Sequence, residues 1–258
     1  MPTIHFLGKI VPFTGYSTTM WDLPTINYKS PDTGIETTIT IQVKGSMIDV
    51  ECAMPRFDQR DLSAIHKIAY DSARAAINVV SFATGITLAV VFDQLVNENG
   101  TTTAFVIHHP DLGKLCTAYT MEVNKEFAGV GDVLGIILRE PGLFLALDDL
   151  ITSTSLHHLI TVNSARSIEG LRHAMTPVAM SRDQEWEVFR TNLNLDKNYI
   201  RLITDHSIAS RHGEGTFVPG TITAEIARRS WTIMNRFIEF RKRGNLALPI
   251  AEFPLLTG

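Results

Sequence analysis

The apolar period of this chain changes near residue 58, from two residues to the three- and four-residue steps of a helix. That switch restricts the fold more than any other feature. Ile39, Ile41 and Val43 alternate with Thr38, Thr40 and Gln42. Beyond Lys44-Gly45-Ser46, Ile48, Val50 and Cys52 alternate with Met47, Asp49 and Glu51. Period two on both sides of a short turn predicts an antiparallel hairpin with one buried face. Ser30-Pro31-Asp32-Thr33-Gly34 supplies the preceding turn, proline fixing φ and glycine accepting a positive one. From Asp58 the apolar positions become Leu62, Ile65, Ile68, Ala69, Ala73, Ala76, Ile77 and Val80, the stripe of a long helix that Asp58 opens and Gly85 ends. Strand signals return over residues 86–96 and 101–108, joined by Asn97-Glu98-Asn99-Gly100, and again around 114–123. Strands, one long helix and more strands predict an antiparallel sheet with one long covering helix.

After about residue 130 the strand signals fade. Residues 132–138 and 142–151 are strongly apolar on either side of Glu140-Pro141-Gly142. Asn163 or Ser164 is expected to cap a helix carrying Ile168, Leu171 and Met175 and ending near Pro177. Ser181-Arg182-Asp183 opens the next, with Trp186, Phe189, Arg190 and Leu193 on one face, and Asp196 caps another, with Tyr199, Ile200 and Ile203 inward. The last helix carries Ile222, Ile226, Ser230, Ile233, Met234 and Phe237 and ends at Arg241-Lys242-Arg243-Gly244, cations in the last turn and glycine beyond. The fold class expected is α+β: a sheet-and-helix region over 1–130, a packed all-helical half over 131–245, and an extended tail over 246–258. The two halves are expected to pack against each other.

Composition narrows the functional classes. At 45% hydrophobic and 19% charged residues the chain is no disordered polymer, and a net charge of -4 gives no global attraction to nucleic acid or an anionic membrane. The charge is uneven: residues 1–135 hold 9 Lys/Arg against 14 Asp/Glu (net -5), residues 136–258 hold 14 against 13 (net +1). Two cysteines, Cys52 and Cys116, make neither a disulfide framework nor a zinc site. No basic segment followed by an apolar run opens the chain, and no apolar stretch reaches spanning length, so the expected setting is cytoplasmic, with no membrane and no disulfide-linked partner.

The sequence has no Gly-x-Gly-x-x-Gly after a strand, no phosphate-loop Gly-Lys-Ser/Thr, no His-Glu-x-x-His and no Gly-x-Ser-x-Gly. Rossmann dehydrogenases, P-loop enzymes, zincins and standard serine hydrolases therefore drop out as first ideas, and no cofactor or metal is expected. What remains is Arg/His chemistry. Arg166 and His173 stand seven residues apart, nearly two turns, on one helix face with Glu169 between them. They are either surface ion-pair partners or an acid–base pair, the imidazole moving a proton near neutrality and the guanidinium fork stabilising phosphate charge. Thr204-Asp205-His206-Ser207-Ile208-Ala209-Ser210-Arg211-His212-Gly213-Glu214-Gly215 gathers two histidines, an arginine and two glycines in what reads as a break between helices. Asp205, His206 and His212 there form either a phosphate or metal site or a capped helix end. The doublets His108-His109 and His157-His158 are poor chelates, since adjacent side chains diverge. Arg229, Arg236 and Arg243 recur at seven-residue spacing on the last helix, either a phosphate-contacting stripe or a solvated face with long apolar stems.

An arginine followed by a histidine several residues on in a compact helical bundle resembles the HEPN family of prokaryotic helical domains. Arg166-Ser167-Ile168-Glu169-Gly170-Leu171-Arg172-His173 fits its outer spacing, with Ser167 where that family usually carries Asn, Asp or His. Arg211-His212-Gly213 resembles the His-Gly ending of some members. The resemblance covers residues 132–243. It implies a metal-independent endoribonuclease that dimerises, with Arg166, His173, Arg211 and His212 in the catalytic roles. Two functions are thus expected in parallel. One is a non-catalytic binding or oligomerisation module, with a homodimer, RNA or protein as partner. The other is that ribonuclease.

Overall fold

The computed structural model describes the chain except residues 12–19, 23–24, 31–33, 106–109, 114, 116–129, 157–158, 177–179 and 212–217, and describes residues 20–22, 110, 113, 130–131 and 210–211 by backbone alone. It divides into two compact units, Met1–Ile107 and His108–Gly258.

In the first unit β1 (Thr3–Val11), β2 (Met20–Asp22), β3 (Ile26–Lys29), β4 (Glu36–Lys44) and β5 (Met47–Ala53) precede α1 (Leu62–Thr84), and β6 (Ala89–Val96) and β7 (Thr102–Ala104) follow it. All pairings are antiparallel. The sheet order is β2-β4-β5-β1-β6-β7, with β3 sharing the outer edge of β4 with β2. The α+β class expected from the period switch is what the chain adopts. Period two appears as strict alternation of burial. Ile4, Phe6 and Ile10 of β1, Ile39, Ile41 and Val43 of β4, and Ile48, Val50 and Cys52 of β5 all lie buried on one face. Helix α1 covers that face with Ile65, Ile68, Ala69, Ala73 and Ile77.

His66 and Tyr70 widen its stripe beyond the aliphatic positions. With Phe6, Phe92 and Phe105 they form one aromatic group, His66 lying 4.6 Å from Phe105 and Phe6 lying 5.6 Å from Phe92 between ring centres. Each such buried aliphatic or aromatic side chain contributes about 1.5–3 kcal/mol by leaving water. Gly85, at φ +71°, ends the helix as expected, its amide donating to the Ser81 carbonyl. Asp58 does cap, but it caps the 3-10 turn Gln59–Asp61 that leads into α1, accepting from the Arg60 amide at 2.9 Å. The Asn97–Gly100 turn is held by the Asn97 carboxamide oxygen, which accepts from the amides of Asn99 and Thr101. The strand expected around 114–123 lies outside the described residues, except that Leu115 closes a turn on the Leu112 carbonyl after the short α2 (Pro110–Gly113).

The second unit continues with α3 (Val130–Arg139), α4 (Pro141–Ser155), α5 (Ile160–Met175), α6 (Arg182–Leu193), α7 (Lys197–Arg211) and α8 (Gly220–Lys242). Its core runs from Leu143, Ala146 and Leu150 of α4 through Ile168 and Leu171 of α5 to Phe189, Ile203, Ile233 and Phe237. Helix α6 starts as its sequence predicts, Ser181 and Gln184 forming a reciprocal capping box. Asp196 caps α7, accepting from the Asn198 amide at 2.7 Å.

Helix α5 corrects the expected start. Asn163 and Ser164 are not caps; they lie a turn inside the helix and are buried. Ser164 belongs to a seam of small side chains where α4 and α5 approach closely. The Ser164 hydroxyl donates to Ser153 at 3.3 Å, and a Cβ on Gly170 would stand 3.3 Å from that of Ala146. Polar residues that favour caps are also small, and here their size decides their place. The segment over 246–258 is not free. It turns at Pro249, whose carbonyl accepts from the amides of Glu252 and Phe253, and buries Leu248 against the α6–α7 junction.

Candidate functional site

Helix α5 carries Arg166 and His173 on one side, as the spacing predicts, but different neighbours engage them. Arg166 pairs with Asp149 of α4, Nη2 to Oδ1 at 3.3 Å. Burial raises the Asp149 carboxyl above its ordinary range, with Arg166 opposing that shift. His173 lies at the other end, mostly exposed, its Nε2 2.8 Å from Nη2 of Arg172 and its Nδ1 3.8 Å from Glu185 of α6. Between α5 and α6, Arg172 is 5% exposed, lies 4.7 Å over the Trp186 ring and places Nε 3.4 Å from the Glu185 carboxylate. Burial lowers its pKa and Glu185 opposes the shift. Arg182 extends the cluster to Glu169 at 3.9 Å. The arrangement is a balanced set of charges stapling α5 to α6.

The sequence reading missed Arg172. Its position four residues after Ile168 places it on the edge of the buried stripe, and an aromatic ring on the next helix is what a buried guanidinium stacks on. Of the other two groups in the expected catalytic set, Arg211 is the last residue of α7, and His212 lies outside the described residues.

Asp205 and His206 correct the expected break. Helix α7 continues through both to Arg211, so neither stands at a helix end where orphan carbonyls would need partners. Asp205 is exposed and His206 half-buried. The helix holds because Ile203 and Ser207 bury one turn apart and carry the inward face past Thr204. The doublets His108-His109 and His157-His158, together with Cys116, lie outside the described residues. Cys52 is a free thiol, fully buried, and burial with the nearby Glu51 and Asp49 charges pushes its pKa up to about 12.

The seven-residue arginine series runs along α8 to Arg243 just past its end; Arg229 and Arg236 face protein, and Arg243 is part-exposed. Arg229 donates through Nε to Glu225 at 2.7 Å and through Nη1 to the Tyr199 carbonyl at 3.2 Å, and lies 4.6 Å over the Tyr199 ring. Arg236 is 5% exposed and donates to the carbonyls of Leu193, Asn194 and Pro254 at 2.7, 2.9 and 2.7 Å. Burial lowers its pKa. Arg243 forks onto Glu252 at 3.2 and 2.5 Å. Asn194, held at φ +53°, completes the junction by donating its carboxamide to the carbonyls of Leu248 and Phe253. These arginines hold α8, the α6–α7 junction and the 246–258 segment together. Arg241, in the last turn of α8, ties that end to α5 and the start of α4, donating to the Ala174 carbonyl at 2.7 Å and to Glu140.

Glu225 accepts from both Arg228 and Arg229, and these bonds, Arg228's first, lower its pKa to about 2. A carboxyl depressed in the fold stabilises it above the unfolded value of about 4.3 and loses that contribution as pH falls toward the folded value. Urea midpoints measured from pH 7 to pH 2 are therefore expected to fall less steeply below pH 5 in Glu225→Gln than in the natural chain. Parallel curves would contradict the assignment.

The second surface feature is apolar. Leu134 and Leu138 of α3 and Phe144, Leu145 and Ile151 of α4 are 44 to 68% exposed. They flank the tight α3–α4 corner, where Pro141 occupies the first turn of α4. The sequence signal was present, since residues 132–151 hold more apolar positions than one buried stripe needs. Among the described residues no helix is long and apolar enough to cross a membrane, and no three His, Cys, Asp or Glu side chains are placed to hold a metal ion.

Comparison with known proteins gives a family and no activity. No curated protein and no solved structure matches the chain. Residues 4–106 match the N-terminal domain, and residues 130–242 the C-terminal domain, of a family described only as a domain of unknown function, DUF8168. Carrying both domains in order, each within one of the two compact units, the chain belongs to the DUF8168 family.

Proposed function

We propose that the helical unit is a non-catalytic binding and oligomerisation module acting in a reducing, cytoplasmic setting. The observation that carries this reading is the exposed apolar surface of α3 and α4, set on a unit in which Arg166, Arg172 and Arg236 each engage other groups of the same unit. A buried core needs no such surface, and exposed apolar patches on otherwise well-packed proteins mark contact sites. Homodimer formation, or a protein partner, is the function that fits it. The free buried thiol of Cys52 suits the reducing setting.

One observation favours the ribonuclease reading instead: an exposed imidazole, His173, beside the guanidinium of Arg172. In that reading, which follows the HEPN resemblance, His173 moves the proton, and Arg166, Arg211 and His212 complete the site, with RNA as substrate. Incubating mixed RNA with the full chain in excess chelator separates the two. The binding-module reading expects the natural chain, His173→Ala and His212→Ala to match the protein-free blank. Cleavage by the natural chain that disappears in either variant would replace that reading with the ribonuclease.

A further inference from the structure

We propose that the partner of the α3–α4 surface is a second copy of this chain, docked about a two-fold axis. This inference rests on the association reading above and names its partner.

Leu138 and Phe144 lie on either side of the corner, Leu134 one turn before and Ile151 two turns after, so the apolar residues form the centre of a patch with charged neighbours at its margin. Two of those neighbours select the occupant. Arg139 is exposed, and its guanidinium donates only to the Gly135 carbonyl of its own helix at 2.7 Å; it has no carboxylate partner among the described residues. Asp148 is exposed on α4, one turn beyond Phe144, and has no cationic partner among the described residues. Several other arginines of this unit do meet carboxylates: Arg166 with Asp149, Arg190 with Glu187, Arg228 with Glu225, Arg241 with Glu140 and Arg243 with Glu252. Arg139 and Asp148 are opposite in sign and flank the same apolar patch.

An isologous contact places residue i of one copy against residue j of the other and j against i. Arg139 of each copy then meets Asp148 of the other, twice per dimer, with Leu138 and Phe144 closing between them. A partner of one dominant charge would satisfy one of these groups and repel the other. A stable interface needs about 800 Å² per partner. The apolar residues supply its centre and the charged margin its rim.

The test is the mass of the full chain by sedimentation velocity and light scattering across a micromolar concentration series, with thermal unfolding as a check that each variant folds. The natural chain is expected to show a monomer–dimer equilibrium. Leu138→Glu with Phe144→Glu is expected to weaken it by about tenfold or more. Arg139→Asp and Asp148→Arg each set like charges against each other twice, and each is expected to weaken it about fivefold. Arg139→Asp combined with Asp148→Arg restores opposite pairing and is expected to recover most of the loss. A monomer throughout the series overturns the proposal. So does a dimer indifferent to the Leu138 and Phe144 changes, or a double swap no better than its worse single. None of those results touches the binding-module reading, which only His173- or His212-dependent RNA cleavage removes.

Discussion

Gly8→Ala is expected to destabilise the first unit by about 3 kcal/mol, near the upper end of ordinary overpacking. In a domain of this size that lowers the thermal midpoint by about 15 °C. Gly8 sits in β1 where the register against β6 shifts: Leu7 faces Gln94 but Gly8 faces Phe92, leaving Asp93 as the extra residue of a bulge. A Cβ at that position would lie 2.1 Å from the Val91 carbonyl oxygen and 2.9 Å from the Phe92 Cα. Both atoms are backbone in the neighbouring strand, so relief requires β6 to move away from the central strand. That movement would loosen Phe92 from Phe6 and the aromatic group beneath α1. Gly34→Ala is the control. Gly34 has φ +68° but nothing within 4 Å of an added Cβ, so only the left-handed backbone is penalised, by about 1 kcal/mol. Equal losses in the two variants would show that the close approach of β1 and β6 is not what Gly8 serves.

Arg236→Met is expected to destabilise the helical unit by about 3–5 kcal/mol, since it removes three charge-assisted hydrogen bonds and leaves buried carbonyls short of a donor. Methionine approximates the stem, so the change isolates the guanidinium. Its loss removes one donor group from three carbonyls, those of Leu193, Asn194 and Pro254, and with it the tie between α8, the α6–α7 junction and the 246–258 segment. Arg236→Lys is expected to recover only part of this, because one ammonium does not reproduce the planar fork. Urea unfolding followed by helical circular dichroism reads both. A methionine variant within about 0.5 kcal/mol of the natural chain, the range of an ordinary surface change, would mean that those carbonyls find other donors and that Arg236 is not structural.

Legibility in the sequence followed the range of the interaction. The β4–β5 hairpin, α1 with its Gly85 terminus, the Ser181 capping box and the start of α7 at Asp196 were readable because each is decided within a few residues by period or cap chemistry. The start of α5 was misplaced because Asn163 and Ser164 are buried inside the helix and Ser164 serves a close contact with α4, a tertiary fact that no local window contains. The continuation of α7 through Asp205 and His206 was missed for a related reason. Two histidines, an arginine and two glycines close together suggested a break, while burial of Ser207 carries the helix onward.

At the candidate site, the seven-residue spacing correctly placed Arg166 with His173 and Arg229 with Arg236 on shared helix sides. Spacing cannot say whether a side faces solvent or protein. The buried Arg172 and the carbonyl cradle of Arg236 depend on Trp186 and Pro254, 14 and 18 residues away. The α3–α4 surface was visible only as surplus hydrophobicity, because a sequence does not say which apolar residues a fold leaves outside.

The central claim is that the arginines of α5 and α8 hold the helical unit together instead of serving a ligand. The most direct measurement is fluorescence anisotropy of a labelled single-stranded RNA titrated with the full chain at low and physiological salt. It compares the natural protein with Arg166→Ala and Arg228→Ala, the two most accessible members of the set. Phosphate contacts make binding fall steeply with salt, by nearly one power per contact. No saturable binding that either substitution changes is expected. Saturable, salt-sensitive binding that weakens in both variants, with their unfolding midpoints unaltered, would contradict the claim.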